Sequence, residues 1–356
     1  MSSDALKLTS YFGERDRAGR EFVADALLGV YGRRRVATSI LLRGSEGFGL
    51  TQRLRTDRLL TLSEDLPLVA VAVDTRERIE SLLGEVTAIE HHGLVTLERA
   101  QMPAAAGDFE LSGDDAAKLT VYLGRGQRAN GRPAFAAVCE LLARHRFGGA
   151  TVLLGVDGTA HGERRRARLF GANAGVPVMI IAVGAHERLA GAVRELERTL
   201  QRPLWTLERV RVCKRDGELL TRPPELLPAT GEHGLAVWQK LMIHSSEQLR
   251  HGRSPLHVAL VRRLRAGGVA GATCLRGIWG FHGDHRPHGD RLLQLRRDMP
   301  VLTVVVDTPE RIAAAFAIVD ELTVEGGLVT SEIVPAMAAS APGARRGGLE
   351  LASRRS

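Results

Sequence analysis

Residues Asp65–Ile79 read DLPLVAVAVDTRERI, and the stretch returns as DMPVLTVVVDTPERI at Asp298–Ile312, identical at 9 of 15 positions with a constant offset of 233. A weathered third copy, GVPVMIIAVGAHERL, spans Gly175–Leu189 at an offset of 110 from the first. In each copy a Pro opens a continuous β-branched and apolar run, the pattern of a buried strand. A polar hinge follows and a helix begins. Asp74 and Asp307 are placed to cap that helix, with Glu77 and Glu310 three residues on completing a capping-box-like pair. A period near 110 residues exceeds that of a solenoid repeat, so it marks three copies of one small domain.

Outward from the repeated stretch, each copy has the same parts. In copy one, LKLTSYFG places Leu6, Leu8 and Ser10 in alternation with Lys7, Thr9 and Tyr11, which is a strand. Phe22, Val23, Ala26, Leu27 and Val30 then lie on one face of a helix. VATSILLRG (Val36–Gly44) is a second strand, a Gly-rich polar loop runs from Ser45, and GLVTLERA (Gly93–Ala100) closes the unit. The order is β-α-β-loop-β-α-β. Copy two repeats it from KLTVYLG at Lys118, and copy three from about Leu235. The expected units are residues 5–101, 116–212 (degenerate) and 234–335. Gly-, Pro- and Ala-containing joints lie between them, and residues 336–356 read as a disordered tail. A β-α-β-β-α-β unit is a ferredoxin-like, α+β arrangement with helices on one sheet face. Its other face needs cover, and three such sheets can supply it by packing around a common axis.

Composition narrows the function. The chain has 356 residues, 44% of them apolar, enough for a sizeable core. No apolar run approaches the ~20 residues that span a bilayer, and MSSDALKLTS lacks the features of a secretory signal, so a soluble cytoplasmic protein is expected. Cys139, Cys213 and Cys274 are too few and scattered for a disulfide framework, and read as reduced structural thiols. The net charge is +8, yet 45 of the 49 basic residues are Arg and lie dispersed, and only 4% of residues are aromatic. That pattern speaks against nucleic acid, which wants a basic stripe with stacking platforms. No nucleophile elbow, P-loop or HExxH occurs, so no enzyme is expected. The His91-His92 pair reads as helix-end surface.

LKLTSYFGERDR, ILLRGSEGFG, RTDRLLTLSEDLPLVAVAVDTRERI and GLVTLE together resemble the domain-of-unknown-function family 190, similar in fold to the PII signal-transduction proteins. Copy three carries the match in LRGIWGFHG, DRLLQLRRDMPVLTVVVDTPERI and GLVTSE. Copy two has Leu154 for Arg43, Thr159 for Phe48, Gly175 for Asp65 and Gly184 for Asp74. The resemblance implies a fused pseudo-trimer, monomeric as a chain, that binds an adenine nucleotide or similar small anion in clefts between copies and signals through the loops after each second strand. No Lys stands in the third-strand region, so the PII phosphate grip does not carry over. Relatives also resemble companions of fluoride-channel genes, which implies a membrane channel or transporter as an alternative partner for a purely structural regulator.

The candidate ligand contacts follow from glycine and arginine chemistry. Arg43, Gly44, Gly47, Phe48 and Gly49 in copy one, with Arg276, Gly277, Gly280 and Phe281 in copy three, have the makings of anion nests. The competing reading is a flexible loop with glycines for turning. Arg78 and Arg311 stand beside a helix N-terminus, where anions bind, although caps and surface ion pairs use the same pattern. The loop FHGDHRPHGD offers His282, Asp284, His285 and His288 to a divalent metal, against the alternative of a solvated polar loop.

Overall fold

The computed structural model describes residues 3–57, 65–89, 93–102, 116–164, 175–201, 203–225, 237–282, 287–289, 299–341, 344–349 and 351. Asp284 and His285, the side chain of His288, and the His91-His92 pair lie outside what is described. The protein is a mixed α/β molecule with six helices and a large antiparallel sheet among the described residues.

Copy one comprises β1 (Ser3–Gly13), α1 (Val23–Arg33), β2 (Thr38–Arg43), β3 (Glu46–Phe48), β4 (Pro67–Thr75), α2 (Arg76–Ile89) and β5 (Gly93–Met102). Copy two comprises β6 (Ala116–Gly124), α3 (Ala134–Arg144), β7 (Gly149–Leu154), β8 (Asp157–Ala160), β9 (Pro177–Ala185), α4 (His186–Thr199) and β10 (Leu204–Arg215). Copy three comprises β11 (Val237–Ser246), α5 (Leu256–Ala266), β12 (Ala272–Arg276), β13 (Trp279–His282), β14 (Pro300–Asp307), α6 (Pro309–Leu322) and β15 (Leu328–Ala341). A last strand, β16 (Ala344–Gly348), folds back on β15. Within copy one the antiparallel order is β2-β4-β1-β5, and the matching strands of the other copies pair in the same order.

The apolar runs are continuous because both strand faces are covered. Along β4, Leu68, Ala70 and Ala72 pack with α1 and α2, while Val69, Val71 and Val73 point to the opposite side. Each copy therefore has its own helix-side core. A fourth cluster joins the second faces of all three sheets, with Ile40 and Val71 from copy one, Leu153 and Met179 from copy two, and Leu275 and Leu302 from copy three. Each of these side chains contributes about 1.5–3 kcal/mol by leaving water.

The copies are also linked strand to strand in a cycle. β3 pairs with β12, β8 with β2, and β13 with β7. The closing strands add a second cycle, β5 to β10, β10 to β15 and β15 to β5.

Three expectations need correction. Residues 336–341 and 344–348 form strands instead of belonging to a disordered tail, because β15 runs past its own unit and pairs Ala336–Ala339 with Thr96–Gly93. Residues 213–219 of the second joint are likewise a β-hairpin continuing β10. Finally, Asp74 and Asp307 are not helix caps. Each accepts the N–H of the next residue and that of Ala37 or Ala270, at 2.7–2.8 Å, tying the third strand to the start of the second. In copy two Gly184 replaces the aspartate because the Phe147 ring occupies the place where its Cβ would stand.

Candidate functional site

Two places where polar side chains meet between copies are candidates for a site: a polar cluster where the three sheets face one another, and a cleft at one seam. The cluster begins with strand register. Lys7 sits opposite Glu98, Lys118 opposite Glu208, and Lys240 opposite Glu332, each Lys on the first strand and each Glu on the last strand of its copy. All six are buried. Each Lys also reaches into another copy: Lys7 Nζ lies 2.8 Å from Glu208, Lys118 Nζ 2.6 Å from Glu332, and Lys240 Nζ 2.6 Å from Glu98. Three ammonium and three carboxylate groups thus form a closed, neutral ring. The carboxylates lie near enough to one another to share a cation, but the ammonium groups already supply that charge.

Burial opposes the Lys118 ammonium, and Glu208, Glu332 and Glu98 outweigh it, so its pKa is raised well above the ordinary lysine value. Burial likewise opposes the Glu98 carboxylate, and Lys240, Lys7 and Lys118 hold it well below the ordinary range. A compact ammonium suits this convergence better than a planar guanidinium, which explains why Lys survives here in an Arg-rich chain. Lys214, the remaining lysine, bonds Asp320 at 2.7 Å and joins copy two to copy three. Every lysine of the chain therefore links two copies.

The cleft opens where β3 of copy one meets β12 of copy three, with a volume of about 620 Å³. Its apolar walls include Phe12, Leu50 and Leu94 from copy one and Val304, Val306 and Ala339 from copy three. Its polar side is basic. Arg55 is fixed between Asp65 (3.1 Å) and Asp16 (3.4 Å), whereas Arg15 and Arg53 are exposed at the rim, Arg53 reaching to 3.9 Å from Asp65. Tyr11 also lines it, and burial together with Glu98 of the charged ring raises the pKa of its phenol.

The sequence-derived candidates separate into two groups. Phe48 and Gly49 line the cleft. Arg43 lies outside the lining and pairs with Glu14 at 3.0 Å, while Arg276 pairs with Glu247 and sits 3.6 Å from Asp57. The glycine amides are not a nest. Gly44 N donates to Pro67 O and Gly277 N to Pro300 O, and a Cβ on Gly47 would stand 2.5 Å from Ala272 O. Gly280 meets Ala150 O and Gly158 meets Ser39 O in the same way, so these glycines let strands of different copies cross closely. Phe48 and Phe281 are buried as knobs in the helix-side cores of copies three and two.

Arg78 and Arg311 hold a turn. Their guanidiniums donate to Arg35 O (3.3 Å) and Gly268 O (2.6 Å), and Arg188 does the same to Arg146 O (2.9 Å). Those acceptors follow the first helix of each copy in the left-handed conformation, with φ of 49°, 74° and 54° for Arg35, Gly268 and Arg146. Of the proposed metal ligands, His282 ends β13 half-buried and His288 enters a short strand pairing with Gly280.

Sequence reasoning missed both the charged ring and the cleft's basic rim. The signal for the first was present: three of only four lysines occupy matching positions, and matching Glu residues close the three units.

The sequence model of the domain-of-unknown-function family 190, described as an uncharacterized ACR, matches three times, over residues 5–102, 116–212 and 238–336. A UPF0166 protein of Aquifex aeolicus (strain VF5) is 34% identical over 62 residues, which is 17% of this chain and 58% of that protein. The chain thus spans little more than half the length of that curated relative.

Proposed function

Given that this chain belongs to the domain-of-unknown-function family 190, we propose that it is a PII-like regulatory protein binding a nucleotide or similar small amphipathic anion between repeats. In this reading its three units are ferredoxin-like and close on themselves as a single-chain pseudo-trimer. The strand order common to the copies, the two cycles of inter-copy pairing and the cyclic Lys–Glu ring support that architecture. The observation carrying the ligand is the seam cleft: about 620 Å³, within the ~300–1,000 Å³ typical of small-molecule sites, with apolar walls and two exposed arginines at the rim. A flat apolar group would lie against Leu94, Val304 and Val306, and a phosphate would meet Arg15 and Arg53 in bidentate fashion. Occupancy would be felt by the segment following β3, which forms one wall, and passed on through it.

Thermal unfolding with a panel of adenine nucleotides tests this. A ligand at about a hundred times its Kd should stabilise the fold by about 2.7 kcal/mol. Arg15→Ala combined with Arg53→Ala should abolish the shift while leaving the apo transition in place. A panel in which no nucleotide moves the transition would overturn the nucleotide reading.

A further inference from the structure

The three seams are built from matching residues yet differ in what they leave open, and we infer that the chain has a single amphipathic-anion site, at the copy one–copy three seam. This deepens, and rests on, the reading of that cleft as a ligand site. The other two seams are joints.

At the copy two–copy one seam the position of Phe48 is taken by Thr159, which is fully buried. Its hydroxyl donates to Val36 O (3.0 Å), its oxygen and that of Ser39 lie 2.9 Å apart, and its amide donates to the Ser39 hydroxyl at 2.9 Å. Thr38 returns a hydrogen bond to Thr159 O at 3.2 Å. The cation matching Arg53 is Arg164, and it is drawn onto Asp157 (2.9 Å) and towards Asp25 of α1 (3.7 Å). Gly126 and Gln127 stand where copy one has Arg15 and Asp16, and Gly175 stands where it has Asp65. A glycine thus replaces Arg15, and hydrogen bonds occupy the crossing.

At the copy three–copy two seam the crossing keeps its aromatic, Phe281, and adds Trp279 edge-on to Phe135 of α3, with ring centroids 6.2 Å apart. Here Gln248 and Leu249 replace Arg15 and Asp16, and Leu249 packs against the core of copy three. This seam has apolar contact, and the cation Arg15 is replaced by an uncharged Gln248. The copy one–copy three seam joins an apolar cleft to Arg15, Arg53 and the Asp16–Arg55–Asp65 network.

The probe of choice is anilinonaphthalene sulfonate, a flat apolar anion whose fluorescence rises on leaving water. Titrated into the full chain it should bind one equivalent. Gly49→Trp should plug the site, because a side chain at Gly49 meets open space and its backbone is unstrained. Arg15→Ala with Arg53→Ala should weaken binding at least tenfold without touching the core. Ala160→Trp, the matching change at the copy two–copy one seam, should leave the one equivalent in place. Two or three equivalents, no binding, or equal sensitivity to Ala160→Trp would overturn the inference. If the dye obeys the one-site pattern and no nucleotide displaces it, the single site stands and the nucleotide reading fails.

Discussion

The charged ring and the seams are both inter-copy contacts, but they have diverged to different degrees. In the ring all three copies present one Lys and one Glu at matching positions. At the seams, matching positions carry Arg15, Gly126 and Gln248, or Phe48, Thr159 and Phe281. The difference follows from burial. Removing one member of a buried ion pair strands its partner without water, whereas an exposed arginine can be exchanged at little cost. A repeat protein can therefore individualise its clefts while the contacts holding its copies together stay fixed.

The largest effect expected from this contrast is at Lys118, fully buried and within 2.6 Å of both Glu208 and Glu332. Lys118→Met should destabilise the chain by about 3–5 kcal/mol, read as a fall in the urea midpoint, because three buried carboxylates are left with only two ammonium groups. Adding Glu332→Gln should recover part of that loss, since the pair and not the lone lysine sets the energy. A single mutant unfolding like the parent would make the ring no more constrained than a seam.

A second contrast is between titration at the axis and at the rim. His244 takes the place held by Tyr11 and Tyr122 in the other copies, and burial, reinforced by Lys118, pushes its pKa down from 6.5 to about 4. Between those values the unfolded chain binds a proton that the folded chain refuses, so stability falls as pH drops through the window. The total is about 3 kcal/mol. Below pH 4.5 the depressed carboxylates of Glu98 and Glu208 extend the loss, because their contribution is present only above the unfolded value and disappears as pH falls. The raised ammonium groups of Lys7 and Lys118 contribute up to pH 10.5 and beyond, so no loss from them is expected on the neutral side. Urea unfolding of His244→Phe at pH 7 and pH 4.5 should show a shallower pH dependence than the parent. An unchanged slope would assign the acid sensitivity elsewhere.

These contrasts also mark how far the sequence could be read. The repeat, the strand and helix order and the covered second sheet face are legible because they rest on local periodicity and internal identity. The ring is not, because Lys7, Thr9 and Tyr11 alternate as a water-facing stripe would. Only the convergence of three sheets buries Lys7 and Thr9 and packs Tyr11 against the shared core. The cleft is illegible for a related reason: Phe48 and Ala272 line one wall and are paired across copies although far apart in the chain. The glycines were visible and their reason was not. Gly44 and Gly47 read as phosphate cradles in a single segment, and only the partner strand shows what a Cβ would strike.

The smallest effect separates Arg43 from Arg15. Both are copy-one arginines, Arg43 pairing with the Glu14 that precedes Arg15, and sequence chemistry alone favours Arg43 because it sits beside glycines. Its guanidinium donates to Glu14 at 3.0 and 3.3 Å, its side chain is 42% exposed, and it does not line the cleft. An exposed pair of this kind is worth about 0–1 kcal/mol, so Arg43→Ala should shift the urea midpoint little. It should also leave dye or nucleotide affinity within about twofold, as a change of less than about 0.4 kcal/mol at the site requires. Arg15→Ala, by contrast, removes a cation that lines the cleft and has no side-chain partner among the described residues. It should cost about tenfold in affinity, the scale of one charge-assisted contact. If Arg43→Ala weakens binding as much as Arg15→Ala, the ligand reaches across Glu14 to the base of the loop, and the site extends beyond the cleft.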